Sequence, residues 1–394
     1  MKIVAASDSF KGSLTSAEVA DSIEKGVHDV FTGAEVVKVA VADGGEGTVD
    51  ALLETMGGKR ICVCVRDPSG RPHDAEYAIL NDGVTAVIEM SSASGLTLLS
   101  PEERNPLQTS TYGTGEMIAD ALARGCRKFL TGIGGSATND GGMGMLNALG
   151  YRFLNAEGKE LPGIGASLIE VSTIDDSGVL QAVRDSEFIV ACDVDSPLYG
   201  PEGAAYVFAP QKGAGPEMVR DLDAGLRHYA EVVSSYMGSL PKFSSGNICA
   251  DMSAIPGAGA AGGVGYAFVS FLGARLQRGS DMVLDAIGFD RIIEGADLVI
   301  TGEGRLDSQT LTGKTPYGVL KRACKQGIPV IAVAGSVASD DEAICYLSGN
   351  QSDECGFRGI YQVTPSGMPL SDAMLPSIAA ANIRRTVSLV LTDI

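Results

Sequence analysis

The amino-acid pattern predicts an α/β protein in two parts, a parallel-sheet domain assembled from both chain ends and a mixed α/β domain inserted between them. Three observations carry this. At both ends, short apolar runs stop at glycine- and aspartate-rich loops and lead into amphipathic helices, the rhythm of a parallel sheet. In the middle, alternating runs are joined by Pro-Ser-Gly and Asn-Asp-Gly turns, which signal antiparallel hairpins. The chain of 394 residues, 45% hydrophobic and with 51 glycines, also exceeds one ordinary core. The expected division is 1–60 with 286–394, and 61–285 as the insert.

Residues 3–7 form the first expected strand, ending in Asp8-Ser9-Phe10-Lys11-Gly12-Ser13. Thr15 and Glu18 make a capping box for a helix striped by Val19, Ile23, Val27 and Val30 and stopped at Gly33. Val36 to Val41 is the next strand. It runs into Ala42-Asp43-Gly44-Gly45-Glu46-Gly47-Thr48 and a helix striped by Val49, Leu52, Leu53 and Met56. After Arg60 the period changes to two: Ile61, Val63 and Val65 alternate, and strands at Ala75 to Ile79 and Val84 to Met90 follow across tight turns. Met117, Ile118, Ala121 and Leu122 stripe a helix ending at Gly125. Lys128 to Thr131 is a strand entering a glycine-rich loop, with helical residues Met145 to Leu149 behind it. Phe188 to Ala191 is another strand, ending in Cys192-Asp193-Val194-Asp195, and Glu217 to Tyr236 reads as an amphipathic helix. Parallel character returns with Leu298 to Thr301. A helix capped by Thr315 with Pro316 at its first position follows, then strands at Pro329 to Ala334 and Gly359 to Val363.

A net charge of −19 argues against a nucleic-acid partner. An anionic substrate must then be held by local cations and backbone N–H groups. The eight cysteines include no CxxC pair and none beside a histidine, so reduced, mostly buried thiols in a cytoplasmic protein are expected. The first residues carry no signal-peptide pattern. Met252 to Ala274 lacks charge and is long enough to span a bilayer. Yet Pro256 and six glycines from Gly257 to Gly273 make it a loop followed by a buried helix, so no membrane association is expected.

The loop Gly132 to Gly144 holds six glycines interleaved with Ser136, Thr138, Asn139 and Asp140. Glycine lets backbone N–H groups approach an anion, and a following helix adds positive potential. Gly134, Gly135, Ser136, Thr138, Asn139, Gly141 and Gly142 are therefore expected phosphate contacts. Asp140 beside a phosphate implies a metal ion between them. The bland alternative is a tight turn with a capping aspartate. Asp8, Asp43 and Asp193 each stand just past an apolar strand, where parallel sheets place their ligands. There a carboxylate can hold Mg²⁺ or accept a proton from an attacking hydroxyl, although any single one is more often a turn or cap residue. Lys11, in a small-residue loop, is a phosphate partner or a solvated lysine, at even weight. Arg305 is a phosphate or carboxylate clamp, against a structural ion pair. Gly257 to Gly262 satisfies GxGxxG with Asp281 downstream, but Asp251 to Pro256 is no apolar strand. Gly313-Lys314-Thr315 ends like a P-loop, yet Ser308 stands where the earlier glycine is required. His28, His73 and His228 lie outside every glycine loop, which leaves phosphoryl transfer by carboxylates and cations as the best-matched chemistry.

Ser7-Asp8-Ser9-Phe10-Lys11-Gly12-Ser13, Ala42 to Thr48, Gly134 to Gly144, Cys192-Asp193-Val194 and Thr301-Gly302-Glu303-Gly304-Arg305-Leu306-Asp307 together resemble the bacterial type I glycerate kinase family, in order and over essentially the whole chain. The resemblance implies a flavodoxin-like domain with an inserted α/β domain, and ATP-dependent phosphorylation of D-glycerate, at O2 to give 2-phosphoglycerate, with transfer to O3 as the alternative. On that basis the site is expected in a cleft between the domains. Asp193 is the expected base, with Asp8 as the alternative. Lys11 and Arg305 would offset phosphoryl and carboxylate charge, and Asp43 and Asp140 would attend Mg²⁺. A dinucleotide-dependent oxidoreductase, resting on Gly257 to Gly262, and a non-catalytic sensor of small acids are the competing classes.

Overall fold

A computed structural model describes residues 1–239, 252–308, 310, 313–338 and 356–393. Cys249, Asp251, Cys345 and Cys355 lie outside these residues. The chain divides into two compact units, Met1–Gly57 with Arg278–Ile394, and Gly58–Gln277.

The first unit opens with β1 (Lys2–Ser7) and β2 (Glu35–Ala40). The second contains β3 (Gly58–Arg66), β4 (Pro72–Leu80), β5 (Thr85–Glu89), β6 (Lys128–Gly132), β7 (Arg152–Leu154), β8 (Thr173–Asp175), β9 (Glu187–Ala191) and β10 (Arg275–Gln277). The chain then returns to the first unit for β11 (Leu298–Leu306), β12 (Val330–Val337) and β13 (Gly359–Gln362).

In the first unit the five strands make one parallel sheet in the order β13-β12-β11-β1-β2. Counted within the unit, that is the flavodoxin-like order, with its reversal between β1 and β11. The fold class expected from the sequence therefore holds. β1 is apolar because it is central: Ile3, Val4, Ala5 and Ala6 are fully buried. The helix Ser16–Val30 covers one face through Val19, Ile23 and Val27, beside the helix Pro376–Thr392 with Ile383 and Val387. Each such side chain contributes about 1.5–3 kcal/mol by leaving water. The capping box is present: Glu18 N–H donates to Thr15 Oγ1 at 3.2 Å, and Thr15 N–H to Glu18 Oε2 at 2.9 Å.

One expected cap differs. The helix Thr315–Lys325 has Lys314 at its N-cap, with Thr315 already inside. The Thr315 hydroxyl instead donates to Asp8 Oδ2 at 3.1 Å.

In the second unit, β3, β4 and β5 form the expected antiparallel pairs, and β5, β6, β9 and β10 continue the sheet in parallel. β7 and β8 form a separate antiparallel pair. The uncharged stretch is a turn followed by the helix Ala260–Leu272. Among the described residues no helix is long and apolar enough to cross a membrane. The cysteine expectation needs correction. Cys126 and Cys192 are buried thiols, Cys62 and Cys64 are exposed, and Cys324 is disulfide-bonded.

Candidate functional site

The parallel strands of the first unit end on a pocket of about 500 Å³. Asp8, Lys11, Asp43 and Arg305, four residues singled out from the sequence, line it together with Glu303 and Lys314. Asp8 follows β1 directly, and its N–H donates to Gly302 O of β11 at 3.0 Å, at the point where the strand order reverses. Its carboxylate accepts from Ser9 N–H at 2.6 Å and from the Thr315 hydroxyl at 3.1 Å. Asp8 is only 5% exposed. Burial, and then the charge of Asp43, push its pKa up to about 6.

Asp43 follows β2. Its Oδ1 accepts from Gly45 N–H at 3.1 Å, and its Oδ2 lies 3.2 Å from Lys11 Nζ. Gly279 leaves no room for a Cβ against the Asp43 carbonyl, so the backbone there is held from both sides. Arg305 is largely exposed and pairs with Asp307 at 3.3 Å. Its ion pair and its place on the pocket rim coexist.

Glu303 and Lys314 are pocket residues that the sequence pattern does not single out. Glu303 belongs to the extended β11, where it is buried, accepts from the Thr310 hydroxyl at 2.8 Å and lies 3.9 Å from Lys314 Nζ. Burial pushes its pKa up to about 7, against the pull of Lys314. A faint signal exists for both. Glu303 shares a strand with Arg305, and Lys314 sits in the incomplete P-loop pattern.

Glu303 makes stability depend on pH. In the fold it holds its proton to about pH 7, whereas an ordinary glutamate loses it near 4.5. Between those values the folded state binds more protons, so stability falls as pH rises. A Glu303→Gln variant, which has no charge to bury, should unfold at higher urea than wild type at pH 8, by on the order of 2–3 kcal/mol. At pH 4, below both values, most of the advantage should be gone. Equal differences at pH 8 and pH 4 would refute this account.

The remaining expected residues lie in the second unit. Asp193 is exposed, two positions beyond β9. Gly134 and Gly135 are exposed, but Ser136 to Gly142 are buried. Two of the N–H groups expected to face a phosphate there are already bonded. Gly141 N–H donates to Gly262 O at 3.0 Å, and Gly142 N–H to Asp140 Oδ1 at 3.0 Å.

Asp140, fully buried, also accepts from Thr111 N–H at 2.8 Å, the Thr111 hydroxyl at 2.7 Å and Gly144 N–H at 3.2 Å. Burial pushes its pKa up while these bonds hold it down. A carboxylate so bonded braces the loop from Thr111 to Gly144. Gly142 and Gly262 have positive φ, and a Cβ on Gly262 would strike Thr138 O and Asn139 Cα. The two glycine-rich stretches thus pack on one another. That removes the dinucleotide reading of Gly257 to Gly262.

Lys212, which the sequence pattern also leaves unmarked, is 1% exposed; its ammonium donates to Ser136 Oγ at 2.7 Å and Thr138 O at 2.6 Å. Burial pushes its pKa down to about 7, opposed by Asp140. The Thr138 hydroxyl and both ends of the Asn139 amide have no partner among the described residues.

The profile of the glycerate kinase family matches residues 3–394. The chain is 46% identical over 373 residues to a glycerate kinase of Bacillus subtilis strain 168, covering 95% of this chain and 93% of that one. It is 45% identical over 370 residues to a glycerate 2-kinase of Escherichia coli K12, covering 92% and 94%. A crystal structure of a protein described as a glycerate kinase 2 of Salmonella typhimurium LT2 superposes with a TM-score of 0.87 at 41% identity, covering 100% of this chain and 98% of that one.

Proposed function

The chain belongs to the glycerate kinase family, an enzyme family that uses ATP to phosphorylate glycerate, and we propose that it phosphorylates D-glycerate at O2 to give 2-phosphoglycerate and ADP. The relative described as a glycerate 2-kinase supports the position of transfer. The observation that carries the reading is the convergence of Asp8, Lys11, Asp43, Glu303 and Lys314 on one pocket at the carboxyl ends of a parallel sheet.

Asp8 is proposed as the base. Its carboxylate is oriented by Ser9 N–H and Thr315, and a pKa of about 6 leaves it ionised yet proton-accepting near neutrality. It takes the proton of the substrate hydroxyl as that oxygen attacks the terminal phosphorus of ATP. Asp193 is the alternative base. Lys11, Lys314 and Arg305 supply the positive charge that a net charge of −19 otherwise denies an anionic substrate.

Mg²⁺ fits the pocket's donors. Among the described residues no three His, Cys, Asp or Glu side chains gather to hold a metal alone. Mg²⁺ in kinases, however, needs one or two carboxylates and completes its shell with phosphate and water. Asp43, whose charge already burdens Asp8, is the carboxylate that would hold it. When bound, the ion offsets phosphate charge.

Phosphorus NMR of the protein with D-glycerate, ATP and Mg²⁺ tests the reading. A new resonance from the O2 monoester is expected. An O3 monoester would overturn the position of transfer, and glycerate binding without ATP consumption would favour the sensor.

A further inference from the structure

The pocket of the first unit has a second end that the chemistry at Asp8 leaves unused. The side chains of Asp8, Asp43 and Glu303 come from the ends of β1, β2 and β11, whereas the apolar wall comes from the segment after β13, whose Met374 reaches the loop after β1 at Gly12. That wall is built by Val363, Met368, Leu370 and Met374, with Asn382 of the helix Pro376–Thr392 among them. Leu370 and Met374 remain 73% and 38% exposed, an apolar rim with nothing over it among the described residues.

Asn382 is 9% exposed. Its amide nitrogen donates to the thioether sulfur of Met368 at 3.6 Å. A thioether is a weak acceptor, so a buried amide is held in place while most of its bonding capacity is kept for something else.

We propose that this end of the pocket takes the adenine base of the nucleotide, with the Asn382 amide pairing to the base edge. The inference rests on the kinase reading, which makes ATP the co-substrate. An asparagine amide matches the adjacent donor and acceptor of adenine in a bidentate pair. Thioethers pack well on aromatic faces, and Met368 and Met374 supply two. About 500 Å³ falls within the range of pockets that enclose a cofactor-sized ligand. A base on this wall has Lys314 and Lys11 in the same pocket to receive its phosphates.

Two measurements test this. Photolabelling with 8-azido-ATP and peptide mapping should place the label within residues 359–393. The near-isosteric Asn382→Leu should raise KM for ATP about tenfold, the loss of one good polar contact, with kcat and KM for glycerate changed by less than about twofold. Should that variant fail to fold, Met374→Ala should raise KM for ATP severalfold.

Label confined to residues 58–277, or an unchanged KM for ATP in a folded variant, would overturn the base site. If label falls on 359–393 but glycerate provokes no ATP consumption, the base site stands and the glycerate reading falls. Glycerate turnover with label elsewhere leaves the glycerate reading standing and removes the base site.

Discussion

Asp8→Asn should lower kcat by about 10²–10⁴ while leaving KM for both substrates within a few-fold and the fold intact. The amide keeps the shape of the carboxylate: its oxygen can still accept from Ser9 N–H, and its NH2, in place of Oδ2, can donate to the Thr315 hydroxyl oxygen. What it loses is the ability to take a proton. The wild-type profile of kcat/KM should rise with an apparent pKa near 6, the value to which burial and Asp43 push Asp8. In Asp8→Asn that limb should disappear. Because Asp43 and Glu303 are close enough to influence Asp8, the observed midpoint belongs to the group of carboxylates. The paired variant Asp193→Asn decides the assignment. A collapse of kcat there, with Asp8→Asn near wild type, would move the base to Asp193.

The second large effect concerns stability. Gly262→Ala should cost on the order of 3–5 kcal/mol, among the larger single-site losses. Gly262 sits at φ +71°, where a side chain costs about 1–2 kcal/mol by itself. Its Cβ would also drive into Thr138 O and Asn139 Cα, separating two backbones bonded through Gly141 N–H and Gly262 O. Gly273→Ala is the control. That glycine also has positive φ, +62°, but open space around it, so only about 1–2 kcal/mol should be lost. Urea unfolding followed by circular dichroism measures both. Equal losses would show that contact between the glycine stretches contributes nothing.

The fold class is legible in the sequence because strands buried on both faces are written as apolar runs. Ile3 to Ala6, Phe188 to Ala191 and Leu298 to Ile300 can be little else. The three residues of β10, Arg275–Gln277, carry no such run and are not legible. Asp8, Lys11, Asp43 and Arg305 are legible as a pocket because a strand end is a position, and parallel strands bring their ends to one side. The role of the glycine loop is not. Glycines that admit a phosphate and glycines that admit another backbone have the same composition, and only the burial of Gly141, Gly142 and Gly262 separates the cases. Lys212 is harder still. In Pro210-Gln211-Lys212-Gly213 it looks like a solvated loop lysine, and its burial depends on the distant Ser136 and Thr138.

The parallel sheet of the first unit also has a consequence for synthesis. Ser7 of β1 meets its partner Gly302 of β11 across 295 positions of chain. At translation rates of ~5–20 residues per second, β1 leaves the ribosome roughly 15–60 s before that partner exists. Throughout this interval one edge of the buried strand β1 stands open, whereas the intervening unit, Gly58–Gln277, has all its own strands before β11 is made. An early stop anywhere before β11 therefore leaves a nascent chain with a sticky, unpaired ribbon, the kind of species that chaperones recognise and that aggregates when they are saturated.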